Sequence, residues 1–344
     1  MHNRIIYTDT LKVVSVLAVI LYHVCMHYYT YGTPGWNSVI GYSSLTRFCV
    51  PIFFMVSGAL LLRRAEDISS FFKKRLSKII IPLVFWSVLY YTFYLFINSK
   101  LEDFSFSSAV ANVIFTPAAG HLWFVYAILG IYFLVPVLSA ISEDRKQSTL
   151  IYYTSIWFLF ASLLPYIRLF GIDIPANFGS WYFVNEIPQF YNYSGYFTLG
   201  YILYNTRESK PLTKLSILAF ATSATAMFFL VLFDSSAKKA ITQDYWEFKT
   251  PLVVIMSASI FYIAKNFNSA LSKTQKASSY LSSLTFGVYL CHVAIIYLVC
   301  DMYDWTMLSI PLLLRLPAQA LIVGIISFSI VAVISKTPIL RKVI

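Results

Sequence analysis

The chain has 344 residues, of which 58% are hydrophobic and only 12% are charged, and its formal net charge is +11. Soluble domains carry about 25% charged residues, so this composition excludes a soluble globular protein, a disordered chain and a fibre. It predicts a polytopic membrane protein. Topology accounts for the basic excess, so we expect no nucleic-acid partner.

Ten apolar segments approach the roughly 20 helical residues that cross a bilayer core of about 30 Å. They lie near 11–30, 45–62, 79–97, 121–140, 149–166, 189–205, 213–233, 250–265, 283–300 and 311–335. We therefore predict an all-α helical bundle of about ten transmembrane helices, in one domain over 1–344 with no soluble appendage. No small-residue cleavage site follows the first segment, which predicts a retained helix.

The distribution of basic residues orients these segments. With both termini in the cytoplasm, 19 of the 26 Lys and Arg residues fall on the cytoplasmic side. The positive-inside rule therefore favours a multi-pass protein with both termini cytoplasmic. The weakest point of this topology is the predicted outer loop 234–250, which carries three lysines.

The first segment carries the densest set of ionisable residues, and such residues inside a span are functional candidates. Asp9 and Lys12 are three residues apart and can pair on one helix face. His23 lies on nearly the same face, about 16 Å from Lys12 along the helix. A snorkelling Lys12 and a structurally satisfied His23 are the alternatives. His23 and His27 have i,i+4 spacing, but no nearby ligand completes a metal site, so we expect no metal.

Other candidates are scattered along the chain. His121 and His292 lie in the fourth and ninth segments, and they line one cavity with His23 if these helices are neighbours. Arg47 and Arg315 lie just inside outer ends of spans, where they either snorkel outward or close a polar cavity. Glu186 follows an aromatic outer segment that suits sugar contact or an interfacial belt equally well.

Basic residues also cluster between the second and third segments. Arg63, Arg64, Lys73, Lys74, Arg75 and Lys78 form this cluster. Such a cluster suits a polyphosphorylated cytoplasmic ligand or anionic lipid headgroups, and a plain topology anchor is the alternative.

Several segments resemble the acyltransferase-3 family of membrane-bound acyltransferases. The opening YTDTLKVVSVLAVILYHV is similar to its first-helix motif, with Asp9, Lys12 and His23 at the acidic, basic and histidine positions. CVPIFFMVSGALLLRR resembles the second-helix motif. FFKKRLSKIIIPLVFW resembles the next loop and helix, where Arg75 and Lys78 stand for the family's Arg-x-x-Arg, so Lys78 lacks a guanidinium fork. HLWFVYAILGIYFLVPVL, SGYFTLGYIL and LTFGVYLCHV are similar to later segments in the same order.

The resemblance implies an O-acyltransferase of the bacterial cytoplasmic membrane, similar to short members that O-acetylate cell-surface glycans. Its donor would be cytoplasmic acyl-coenzyme A, most often acetyl-CoA. Its acceptor would be a hydroxyl of a surface glycan or a lipid-linked sugar. The implied acyl-CoA-binding residues are Lys12, Arg75, Lys78, Ser57 and Gly58, although a Ser-Gly pair also suits plain helix packing. His23 would act as general base, and Asp9 would orient Lys12.

Two other classes of function remain open at this point. A transporter or flippase also has many helices and buried charges, although the chain lacks a visible inverted repeat. A membrane scaffold without chemistry predicts that Lys12 and His23 tolerate replacement.

Overall fold

The computed structural model describes residues 5–63, 66–114, 116–143, 147–170, 189–268, 275–301 and 310–344. Within these ranges the chain forms helices joined by turns, and it contains no β-strand. The predicted fold class is therefore confirmed for the part of the chain that the structure describes.

A helix lies at each of the ten predicted spans, and two short helices, near 36–46 and 106–114, lie outside them. In chain order the helices are α1 Ile6–Met26, α2 Trp36–Thr46, α3 Cys49–Leu61, α4 Ile68–Ile97, α5 Phe106–Ile114, α6 Trp123–Glu143, α7 Gln147–Trp157, α8 Gln189–Asn205, α9 Lys210–Lys238, α10 Pro251–Asn266, α11 Gln275–Ile296 and α12 Leu312–Ser335. A π-helix, Phe158–Leu163, and a turn, Leu164–Tyr166, continue α7, and a π-helix, Tyr297–Asp301, continues α11.

The number of crossings follows from helix directions. Within the described ranges, nine helical segments are long and apolar enough to cross a membrane, and α8 has only 17 residues. The Tyr28 hydroxyl after α1 donates to Gln319 near the start of α12 at 3.1 Å, so α1 and α12 are antiparallel. Successive crossings alternate in direction, so antiparallel first and last helices require an even number. α8 coincides with the predicted span 189–205 and is a candidate for the tenth crossing.

The two ends of the bundle can be named from α1. We call the end at which α1 begins the proximal end and the end at which α1 finishes the distal end. α11 runs parallel to α1, because Asp9 contacts Ser282 and His23 contacts His292. The proximal end corresponds to the predicted cytoplasmic side, and His23 lies toward the distal end.

Helix α8 lies against α3 in backbone contact. A Cβ atom on Gly58 would lie 1.8 Å from the Phe197 carbonyl oxygen, and one on Gly200 would lie 2.0 Å from the Met55 oxygen. Small residues let membrane helices approach this closely. Tyr196 and Phe197 are fully buried. α8 is thus an interior helix that is shielded by its neighbours.

The basic cluster lies partly on a helix, which corrects one prediction. Asp67 caps α4, and its carboxylate accepts the Ser70 backbone N–H at 3.1 Å. Lys73, Lys74, Arg75 and Lys78 are therefore in the first three turns of α4 rather than in a loop. The cap and the helix-forming Lys, Arg and Leu residues extend the helix beyond its apolar stretch.

Candidate active site

Three predicted histidines meet toward the distal end of the bundle. His23 comes from α1, His292 from α11, and His121 from the 3-10 turn Gly120–Leu122 that precedes α6. The ring centroids are 4.9 Å apart for His23 and His292, 5.1 Å for His121 and His292, and 6.4 Å for His23 and His121. The helices that carry them are therefore neighbours, as the cavity hypothesis required.

Backbone carbonyls fix which ring nitrogens carry protons. The Nδ1 atom of His292 lies 2.6 Å from the Tyr289 oxygen, which can only accept, so Nδ1 is the donor and Nε2 of the neutral ring is an acceptor. That Nε2 atom lies 3.2 Å from His23 Nδ1, which is also 2.9 Å from the Val19 oxygen. His23 Nδ1 must then carry the proton. The Nε2 atom of His23 is left with a lone pair that no described residue binds.

His121 is held by the same helix. Its Nε2 atom donates to the Leu290 oxygen at 3.3 Å, and the Tyr289 hydroxyl donates to the His121 carbonyl. Its Nδ1 atom is buried and has no hydrogen-bond partner among the described residues. Buried polar atoms are rarely left unpaired, so this acceptor is available to a bound group.

A cavity of about 400 Å³ opens beside the cluster. His23, His27 and His121 line it, whereas His292 is fully buried behind His23. The other lining residues are mostly apolar or aromatic: Val19, Tyr22, Met26, Cys49, Val50, Gly120, Trp123, Phe248, Tyr289, Val293 and Ile296. An apolar cavity with a few directed polar atoms is typical of a small-molecule site.

Arg47 lies behind the cavity wall. It is 4% exposed, and its Nε atom donates to the Trp246 oxygen at 2.6 Å. Its guanidinium carbon lies 4.3 Å from the Tyr22 ring centroid and 4.1 Å from that of Phe248. This arginine does not snorkel outward.

The predicted donor residues are at the proximal end. Asp9 is buried, and its carboxylate accepts the Ser279 hydroxyl at 2.9 Å and the Ser282 hydroxyl at 2.7 Å. Lys12, one turn further along α1, is half-buried. These contacts fix the start of α1 against α11, so Asp9 anchors the helix that carries both Lys12 and His23.

Arg75 already has an acidic partner. Its guanidinium donates to Glu66 and lies 4.3 Å from the Phe71 ring centroid, and Lys74 contacts the same carboxylate at 3.3 Å. The hydrogen bond from Arg75 holds the pKa of the Glu66 carboxyl below its usual range. Lys78 is exposed. A phosphorylated ligand would compete with Glu66 for Arg75.

The remaining candidates do not join the cavity. Gly58 is accounted for by its contact with Phe197, and Ser57 beside it is half-buried. Arg315 lies against a different pocket and donates twice to the Ile310 oxygen. Glu186 lies outside the described residues. In the described part of the chain, no group of three or more His, Cys, Asp or Glu side chains is arranged to hold a metal ion.

Sequence reasoning missed the contribution of the outer segment 234–250. Trp246 and Phe248 belong to it and contact Arg47. Two aromatic residues within a charged stretch were the available signal. Tyr289, which contacts His121, was also given no role, although it precedes His292 by three residues.

Comparison with known protein families matches residues 5–336 to the acyltransferase domain of the acyltransferase-3 type. The match covers nearly the whole chain. Neither the curated proteins nor the solved structures gave a match. The family match favours an enzyme over the transporter and scaffold alternatives.

Proposed function

The chain belongs to the acyltransferase-3 family and is a multi-pass membrane acyltransferase, and from this premise we propose its donor, acceptor and base. It transfers an acyl group, in the simplest case acetyl, from cytoplasmic acyl-coenzyme A. The acceptor is a hydroxyl of a cell-surface glycan or its lipid-linked precursor, in the cytoplasmic membrane of a bacterium. The observation that carries the proposal is the free Nε2 lone pair of His23 beside the cavity.

The proposed reaction is a direct acyl transfer. His23 Nε2 removes the proton of the acceptor hydroxyl as its oxygen attacks the thioester carbonyl. The new C–O bond forms, the C–S bond breaks, and the electron pair leaves on the sulfur of coenzyme A. The proton on His23 Nε2 then passes to this thiolate. Throughout, His23 Nδ1 keeps its proton, which the Val19 oxygen and His292 Nε2 share.

The phosphates of the donor would bind at the proximal end. Lys12, Arg75 and Lys78 supply positive charge there, and anchoring by Asp9 sets the position of Lys12. Arg75 suits a phosphate because its guanidinium can bind two oxygens at once. Its contact with Glu66 supports this role, because the guanidinium already binds a carboxylate there.

The thioester must then reach the cavity. Lys12 and His23 are about 16 Å apart along α1, a span suited to the long pantetheine arm of the donor. Val16 and Val19 lie on the intervening turns and are fully buried. Donor entry therefore requires these packed side chains to move, so donor binding and bundle opening are coupled.

The acceptor would enter from the distal end. Tyr22, Trp123 and Phe248 line the cavity there, and aromatic rings of this kind pack against sugar faces. The donor and acceptor thus approach His23 from opposite ends of the bundle, which is what transfer across a membrane requires.

The test uses the detergent-purified protein and acetyl-CoA that carries a radiolabelled acetyl group. We expect acetyl-CoA to raise the thermal unfolding midpoint, since a ligand of the folded state stabilises it, whereas acetate and ATP do so less. In membrane vesicles, we expect the label to appear in lipid-linked or polymeric glycan, with one free thiol released per acetyl group. A monodisperse protein with no stabilisation at millimolar acetyl-CoA and no labelled glycan would refute the proposal.

A further inference from the structure

Arg47 carries a buried charge that forms no ion pair with an Asp or Glu side chain among the described residues. A guanidinium is always protonated, and this one is 4% exposed. Its Nε atom is bonded to the Trp246 oxygen, but Nη1 is buried without a hydrogen-bond partner among the described residues. Burying an unpaired charge is strongly unfavourable. We therefore expect a buried charge of this kind to bind a group that enters with a ligand.

The guanidinium of Arg47 lies close to the cavity and to His23. Tyr22 and Phe248, the two rings that flank the guanidinium, both line the cavity. The Tyr22 ring centroid lies 5.3 Å from that of His23. Arg47 is therefore separated from His23 by a single aromatic ring. Contacts with the two rings offset part of the cost of burial, but an aromatic face is not a counter-ion.

The described residues that line the cavity supply no counter-ion either. Its described lining residues include histidines but no Asp, Glu, Lys or Arg. One guanidinium matches one negative charge, and its planar edge suits a carboxylate. A phosphate dianion would need a second cation at this wall.

We propose that Arg47 forms a carboxylate subsite behind the cavity wall, in which a carboxylate on one of the two substrates accepts hydrogen bonds from the Arg47 guanidinium once the Tyr22 or Phe248 ring that separates it from the cavity moves aside. This inference rests on the proposed acyl transfer. The carboxylate has two possible sources. It belongs either to the acyl group, as in a dicarboxylic donor, or to the acceptor, as in an acidic sugar.

Two matched pairs of probes distinguish these sources. Succinyl-CoA against acetyl-CoA tests the acyl group, and glucuronate against glucose tests the acceptor. The affinity of each probe for the purified protein comes from the thermal unfolding midpoint as a function of concentration. We expect the acidic member of one pair to bind about ten- to hundredfold more tightly than its neutral counterpart, the range for a hydrogen bond to a charged group.

Arg47 variants show whether this preference belongs to the subsite. Arg47→Gln should abolish the preference and leave the affinity for the neutral probe unchanged. Lys239→Gln is the matched control, because Lys239 is an exposed distal cation whose amine lies 5.8 Å from the Tyr31 ring centroid. It should keep the full preference. If Arg47→Gln fails to fold, Arg47→Lys replaces it, and we expect the loss of the planar fork to reduce the preference.

The subsite and the proposed function can fail separately. Equal affinities within both probe pairs for the wild-type protein, or a preference that survives the change at Arg47, would overturn the subsite. Acetyl transfer to glycan would then still support the function. Conversely, an Arg47-dependent preference for glucuronate with no transfer from any CoA thioester would leave the subsite standing and remove the acyltransfer proposal.

Discussion

The carboxylates at the proximal end of the bundle and the polar groups around the distal cavity differ in how they are paired. At the proximal end, the Asp9 carboxylate accepts two serine hydroxyls, and Glu66 contacts both Lys74 and Arg75. At the distal end, His121 Nδ1 and Arg47 Nη1 are buried without partners among the described residues. The Nε2 atom of His23 is likewise unbonded within the part of the chain that the structure describes.

This difference separates anchoring from chemistry. Polar groups that are already paired hold helices in place. A ligand that binds such a group must displace the existing partner, so the contact adds little to its binding free energy. A polar group that is unpaired in a buried cavity has no partner to lose, so the full free energy of a new hydrogen bond contributes to ligand binding. We therefore expect replacements at the distal end to affect turnover strongly and replacements at the proximal end to affect donor affinity more modestly.

The largest expected effect is that of His23→Ala. Removing a general base typically lowers the rate about 10²- to 10⁴-fold, so acyl transfer should fall by that range. Stabilisation by acetyl-CoA should persist, because the proposed phosphate-binding residues are at the other end. His27→Ala, which removes a histidine bonded to Asp301 at 2.9 Å, should cause a much smaller loss. Normal turnover by a folded His23→Ala protein would contradict the proposed base.

A second expected effect at the distal end concerns His292, which we predict to act through His23 as a positioning residue. His292→Leu removes the acceptor for His23 Nδ1–H and leaves only the Val19 oxygen. We expect kcat to fall about 10- to 100-fold, in line with the loss of a hydrogen-bonded neighbour of a reacting group, with the KM for the donor unchanged. His292→Gln supplies a carbonyl acceptor and should recover part of the loss. Equal activity of the Leu and Gln variants would show that His292 has only a packing role.

At the proximal end, Lys12→Ala should weaken donor binding about tenfold, the loss expected for one charge-assisted contact to a phosphate. Turnover at saturating donor should remain near the wild-type value. Lys210→Ala removes an exposed lysine at the start of α9, also at the proximal end, and serves as the control. An unchanged donor affinity in both Lys12→Ala and Arg75→Ala would remove the proposed phosphate site.

The smallest expected effect is that of Glu66→Gln, which frees Arg75. Glu66 and Arg75 are half-buried at the surface of the bundle, and ion pairs near the surface are worth about 0 to 1 kcal/mol, so donor affinity should rise by about fivefold or less at neutral pH. The Arg75 contact lowers the pKa of the Glu66 carboxyl. The Glu66–Arg75 ion pair is therefore intact at pH values above the usual pKa of a carboxyl. It is lost as the pH falls through the lowered pKa of Glu66 in the folded protein.

The affinity difference between wild type and Glu66→Gln should accordingly shrink in acid. Titration of donor affinity in both proteins provides the measurement. A difference that stays constant or grows toward low pH would exclude competition by Glu66.

The sequence by itself determined the membrane class, the order of the helices and the stripe on α1 that joins Asp9, Lys12 and His23. These features depend on local composition and on helical periodicity, and a short stretch of sequence is enough to determine both. The same local information misplaced the basic residues of α4, because the Asp67 cap extends that helix beyond its apolar stretch.

Only the tertiary structure decided which groups act together. His23, His121 and His292 come from three distant parts of the chain, and their meeting depends on how α1, α6 and α11 pack. The protonation pattern of the histidines depends on carbonyls at Val19, Tyr289 and Leu290. Whether Arg47 snorkels or stays buried depends on Tyr22 and Phe248. The sequence specifies which polar side chains each helix carries. Packing against other helices decides which of their polar atoms are paired and which remain free for a substrate.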